Sequence, residues 1–260
     1  MRPAGSRPKE VQSTLEVRLP RCLATEQGRT GKIQPMNFLA LETATDPGSI
    51  ALWLDGNVLA RSCPVGLSNS ETLLPLVNST LNEAGLDFAD LDGIAFGSGP
   101  GSFTGLRVSC GVAQGLAFAR DLPLLGIGTL DAMAHITGGD RIIVALDARM
   151  GEVYFGLFER GDLLVPIGVY PPDAVPLPES GGWLACGNGL AAYPVLCERL
   201  SPFVETWQTD LMPSAEAVLR LAVPRFERGE WIDPADAIPF YVRNKVAKTV
   251  AERLAIGGRA

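Results

Sequence analysis

Gly97 to Ala119, GSGPGSFTGLRVSCGVAQGLAFA, constrains the fold of this chain more than any other stretch. The run before it, Asp92 to Phe96, is short and β-prone. Gly97, Gly99, Pro100 and Gly101 then break regular structure and let the backbone turn sharply. Ser102 or Thr104 can cap the helix that follows. A strand, a glycine turn and a helix N-terminus leave free N–H groups, so the unit is either a tight structural turn or an anion cradle. Two phosphate patterns are missing. Gly105 is followed by Leu106-Arg107 rather than Lys-Ser/Thr, and Pro100-Gly101-Ser102 breaks G-x-G-x-x-G.

In the helix itself Gly105, Ser109, Ala113 and Ala117 recur every four residues and form one narrow row. Gly111 and Gly115 add glycines that cost roughly 1 kcal/mol each relative to alanine. Something packs very close to this helix, either another part of the chain or a helix of a partner subunit.

Charge narrows the function. The 260-residue chain carries a net −7. Residues 1–35 hold seven basic and three acidic residues, which leaves the remainder 15 basic against 26 acidic. A body this acidic lacks the clustered Lys and Arg that grip a nucleic-acid backbone, so any RNA is reached through a partner. The five cysteines are scattered without C-x-x-C spacing and read as reduced, cytoplasmic thiols. No apolar run approaches a membrane span. A single histidine, His135, excludes a two-histidine metal site within the chain.

Along the chain, residues 1–35 lack periodicity and read as a disordered extension, with the folded part starting at Met36. Strands are expected at 37–43, 49–54 and 58–62, with a hairpin turn at Asp55-Gly56-Asn57. A helix over 68–84 carries Leu73, Leu74, Val77 and Leu81, and Thr72 as its N-cap would put Pro75 in the first turn. Further strands are expected at 122–127, 141–146, 152–158, within 161–170 and at 183–186. Helices are expected at 129–136, 190–200 and 214–228, the last kinked at Pro224. A short extended segment at 236–242 precedes a basic tail, 243–260. Leu39 to Ala44 (LALETA) aligns with Val144 to Arg149 (VALDAR): each is an apolar strand ending in an acid and returning as a second strand. The chain therefore reads as two related α/β halves.

Six blocks together resemble a known family: FLALETAT (38–45), SETLLPLV (70–77), IAFGSGPGSFTGLRVSCGVAQGLAFA (94–119), IGTLDAMA (127–134), ALDARMGEVYF (145–155) and YVRNKVA (241–247). The chain is similar to the TsaB, or YeaZ, family of tRNA threonylcarbamoyladenosine biosynthesis over 36–254. That resemblance implies the actin/sugar-kinase/Hsp70-like (ASKHA) fold, two βββαβα halves facing a cleft, here 36–138 and 139–242. It also implies a non-catalytic subunit that dimerises with its paralogue TsaD, joined by the ATPase TsaE, and meets tRNA only through that complex.

TsaD holds a metal through paired helical histidines, and the matching positions 68–72 here carry none. The partner interface implied is Leu73, Leu74, Leu76, Val77, Thr80, Gly105, Arg107, Ser109, Val112 and Ala113, the narrow row of the second helix included. A vestigial nucleotide cleft would hold Glu42, Thr43, Gly99, Gly101, Ser102 and Asp147. No intrinsic cofactor is expected, with ATP or ADP entering only at the level of the complex. The same helices could pair two copies of the chain. The alternative is an enzyme in its own right: a nucleotide hydrolase that orders Mg²⁺ on Glu42 and Asp147, or a glycoprotease-like enzyme. Two features depart from the family: Glu42 where aspartate is common, and the N-terminal extension.

Overall fold

A computed structural model describes residues 36–242; the extension 1–35 and the tail 243–260 read from the sequence lie outside the described residues. The first sheet grows from a meander of β1 (Asn37–Glu42), β2 (Ser49–Leu54) and β3 (Asn57–Ser62). Asp55 (φ 47°) and Gly56 (φ 92°) form the left-handed two-residue turn between β2 and β3. α1 (Asn69–Glu83), β4 (Gly93–Gly99), α2 (Phe103–Arg120) and β5 (Leu124–Gly128) follow, and the strand order is β3-β2-β1-β4-β5. β4 is parallel to both β1 and β5.

Both faces of this sheet are covered, and the period-two alternation of its strands separates the two cores. Leu39, Leu41, Ile50, Leu52, Ile94 and Phe96 pack with Leu73, Val77 and Leu81 of α1 and with Cys110, Ala113 and Ala117 of α2. Phe38, Ala40, Ala51 and Ala95 face the opposite way, onto a helix from the far end of the chain, α6 (Ala215–Glu227). Phe38 and Phe226 stack there with ring centroids 4.6 Å apart.

α3 (Thr129–Thr137) leads to the second sheet: β6 (Arg141–Asp147), β7 (Val153–Glu159), β8 (Asp162–Leu163), β9 (Gly168–Tyr170), β10 (Trp183–Cys186) and β11 (Val204–Gln208). Its order is β11-β10-β6-β7-β8, with β9 also on β7. β6 and β7 are antiparallel, while β6, β10 and β11 run parallel. The second sheet therefore repeats the first, with β6 in the place of β1. This is the actin-like, two-half ASKHA fold that the resemblance implied.

The halves exchange their closing helices. α3 packs Leu130, Met133 and Ala134 on Ile142, Val144, Leu146 and Phe158 of the second sheet, while α6 covers the first sheet. The outer face of the second sheet is covered by α4 (Gly189–Ala192) and α5 (Pro194–Leu200), through Leu190, Leu196 and Leu200.

Four local readings change. α1 starts at Ser68, whose side chain accepts from the Ser70 amide, so Pro75 lies inside the helix. Pro75 is exposed, where water can satisfy the carbonyl that its missing N–H leaves free. The single helix expected over 190–200 is two, because extended Tyr193 precedes Pro194 at the start of α5. β11, VETWQ, had no counterpart in the sequence reading. Residues 236–242 form no strand; Pro234–Asp236 is a 3₁₀ turn and an irregular segment follows.

Candidate functional site

The repeated acids sit at the two strand ends that face each other across the halves. Each caps its own corner. Glu42 ends β1, and its Oε1 accepts the Ala44 amide at 2.6 Å. Asp147 ends β6, and its Oδ1 accepts the Arg149 amide at 2.8 Å. An acid accepting the amide two residues on is a local turn-forming bond, and that bond is the physical content of the internal repeat.

The remaining valences are also used. Glu42 Oε2 accepts the Thr129 hydroxyl at 3.3 Å and stands where a side chain at Gly97 would begin. Glu42 is buried, and desolvation pushes its pKa up to about 7 against the hydrogen bonds that favour the anion. Asp147 accepts the Tyr193 hydroxyl at 2.8 Å and faces the Arg149 guanidinium at 3.5 Å. The break between α4 and α5 is what brings Tyr193 there.

The glycine turn packs on the first corner. The Ser102 amide donates to the Ala44 carbonyl at 2.8 Å. The Ser102 hydroxyl caps α2 by accepting the Gly105 amide at 3.4 Å. Thr43, buried, donates its hydroxyl to the Gly105 carbonyl at 2.7 Å. Gly99 has φ 118°, and a side chain there would meet the Phe240 carbonyl at 2.6 Å; one at Gly101 would collide with Ala44.

Between the halves lies a cavity of about 390 Å³, lined by Asp46, Gly101, Ser102 and Thr104 on one side and by Asp147, Arg149, Tyr154 and Asn188 on the other. Tyr154 donates its hydroxyl across it to the Gly101 carbonyl at 3.1 Å. Of the six residues expected at a nucleotide cleft, Gly101, Ser102 and Asp147 line this cavity; Glu42, Thr43 and Gly99 stand behind it. Glu42 is buried behind the cavity, and Asp147 at its wall accepts from Tyr193 and faces Arg149.

The helix pair needs a correction. The narrow row Gly105, Ser109, Ala113 and Ala117 is buried against the chain's own first sheet, not open to a partner. Gly105 abuts the Thr43 carbonyl, and Ser109 donates to the Gly97 carbonyl at 3.3 Å. Leu73, Val77 and Thr80 are likewise core. Leu76 and Val112 are half-buried, while Leu74 and Arg107 are exposed. The open face of α2 is instead Thr104, Arg107, Gly111, Gly115 and Phe118, with Phe118 73% exposed. Among the described residues, and apart from the neighbouring backbone of α2 itself, no atom lies within 4 Å of where a side chain at Gly111 or Gly115 would start. The two glycines were visible in the sequence; the direction they face was not.

Among the described residues no helix is long and apolar enough to cross a membrane.

The chain's similarity to known proteins agrees with this architecture. A family model described as TsaD, tRNA N6-adenosine threonylcarbamoyltransferase, matches residues 67–165. The tRNA threonylcarbamoyladenosine biosynthesis protein TsaB of Escherichia coli is 37% identical over 227 residues, 82% of this chain and 96% of that protein. The Haemophilus influenzae protein of the same name is 32% identical over 231 residues, with the same coverage. The solved YeaZ structure from Pseudomonas aeruginosa superposes with a TM-score of 0.71 at 36% identity, over 79% of this chain and 99% of that one. On sequence, on length and on fold, the chain belongs to the TsaB (YeaZ) family.

Proposed function

We propose that this protein is the non-catalytic subunit that pairs with TsaD, with TsaE joining, in threonylcarbamoyl transfer to a tRNA adenosine in the cytoplasm. The biosynthetic setting follows from the names of its relatives. The observation that carries the subunit role is the outward face of α2. Gly111 and Gly115 weaken that helix and gain no packing contact among the described residues. A facing helix of another subunit, approaching at glycine distance, supplies the missing compensation. TsaD is the fitting partner because its family model matches 67–165, the stretch that includes α1 and α2, so it brings a helix pair of the same build.

The cleft supports the non-catalytic half of this reading. Its acids are spent on their own corners, so ATP or ADP acts at the level of the complex rather than here. The acidic body assigns tRNA to the partner's surface. A subunit that transfers no group can still activate, provided it binds one conformation of TsaD better than another.

The test is light scattering after gel filtration, on the full-length chain mixed with TsaD of the same organism. A one-to-one complex that Gly115→Leu abolishes, with the circular dichroism unchanged, is the expected result. No complex, or one indifferent to that substitution, refutes the reading.

A further inference from the structure

The segment that follows α6 ends at the cleft, where Phe240 and Tyr241 join the cavity lining, and it is tied down along its length on the way there. The Ile232 amide donates to the Leu124 carbonyl at 2.9 Å at the edge of the first sheet. The chain then runs antiparallel to α2. Gln114 Nε2 donates to the Pro234 carbonyl at 2.7 Å, the Cys110 thiol lies 3.7 Å from the Ala237 carbonyl, and Arg107 Nε donates to the Tyr241 hydroxyl at 3.1 Å. The Phe240 amide closes the run on the Ser98 carbonyl at 2.7 Å. Arg107 also stacks over Phe103 at 3.9 Å, and the Phe103 and Tyr241 rings lie 5.4 Å apart.

Positions 107, 110 and 114 form one stripe of α2, adjacent to the stripe of Gly111, Gly115 and Phe118. On the other flank Val108, Val112 and Leu116 join the core that includes Leu76 of α1. The glycine face is therefore a floor between two sides, α1 and this strap. The strap turns apolar surface outward at Ile238, which is 77% exposed, while Phe240 and Tyr241 beyond it line the cavity between the halves. Apolar side chains on a backbone already fixed at four points are a preordered wall, which loses little further entropy on binding.

We infer that the strap 232–241 is one wall of the partner-binding groove, with Ile238 packing against a helix of the partner subunit seated over Gly111 and Gly115. This rests on the proposal that α2 docks the paralogous catalytic subunit. A helix of that subunit is the occupant because its family model spans the same two-helix stretch, and because the missing side chains at Gly111 and Gly115 admit a helix axis at short range.

The test measures affinity between the full-length chain and TsaD of the same organism by calorimetry, with Ile238→Asp and Gly115→Leu as variants. The expected result is that Gly115→Leu abolishes binding while Ile238→Asp weakens it by on the order of tenfold with an unchanged thermal midpoint. In the unsubstituted complex, hydrogen exchange at 234–241 should slow. If Gly115→Leu abolishes binding but Ile238→Asp changes it less than twofold and exchange at 234–241 is unaltered, the wall is refuted and the docking face survives. If neither variant matters, both fall. A homodimer that Ile238→Asp disperses, with TsaD binding intact, assigns the groove to a second copy and overturns the inference.

Discussion

Thr43 and Gly105 are joined twice over. The Thr43 hydroxyl bonds the Gly105 carbonyl at 2.7 Å, and the Thr43 carbonyl occupies the space a Gly105 side chain would need. The obstructing atom is backbone at the corner Glu42 braces, so it cannot swing aside. Gly105→Ala should destabilise the fold by about 1–3 kcal/mol. Gly111→Ala, six residues on in open space, should stabilise the isolated chain by about 0.5–1 kcal/mol. Urea denaturation of the two variants reads this opposition directly.

Glu42 gives stability a pH dependence of definite sign. Its folded pKa, about 7, lies above the ordinary 4.5 because burial disfavours the anion. The contribution is therefore complete below pH 4.5 and is lost as pH rises through 7. At about 1.4 kcal/mol per pKa unit, the loss is about 3 kcal/mol. Glu42→Gln should flatten the profile, and the difference in urea midpoint between pH 5 and pH 8 should shrink relative to the unsubstituted protein.

Tyr154 reaches from β7 to the glycine turn of the other half. Tyr154→Phe keeps the ring and removes that bond, at a cost of about 1 kcal/mol. Hydrogen exchange should accelerate at 99–104 more than in either sheet; uniform acceleration would contradict a bond that clasps the halves.

Phe226 anchors α6 to the first sheet by its stack on Phe38. Phe226→Ala should cost about 3–5 kcal/mol, since the ring is buried between a strand and a helix that are far apart in sequence. Thermal denaturation should give one lowered transition. Loss confined to the second sheet's signals would contradict the packing.

Much of this architecture was legible because its signals are local. Alternation and the Asp55-Gly56 turn mark the first meander, and the acid-ended strands betray the duplication. β11 escaped because its middle residues Glu205, Thr206 and Trp207 are exposed, which leaves no buried alternation to read. The start of α1 slipped by a turn because Pro75 argued for a later cap than Ser68. The narrow row of α2 announced close packing without saying against what; a backbone carbonyl 62 residues earlier in the chain is not written in a helix's own periodicity. The strap was illegible for the same reason: Gln114 meets Pro234 across 120 residues, and an irregular segment carries no pattern.

The exchange of α3 and α6 makes each half the lid of the other. A chain severed near Gly138-Gly139 would yield one piece with the first sheet missing its α6 cover and one with the second sheet missing α3. Each piece would bare the apolar face that its counterpart was built to close. The expected outcome is that each piece aggregates when produced alone and that the two co-elute on gel filtration when produced together; a piece that stays monomeric and folded by itself would contradict it. In a protein stitched in this way neither core is complete without a helix from the other half, so the two halves are made and lost together.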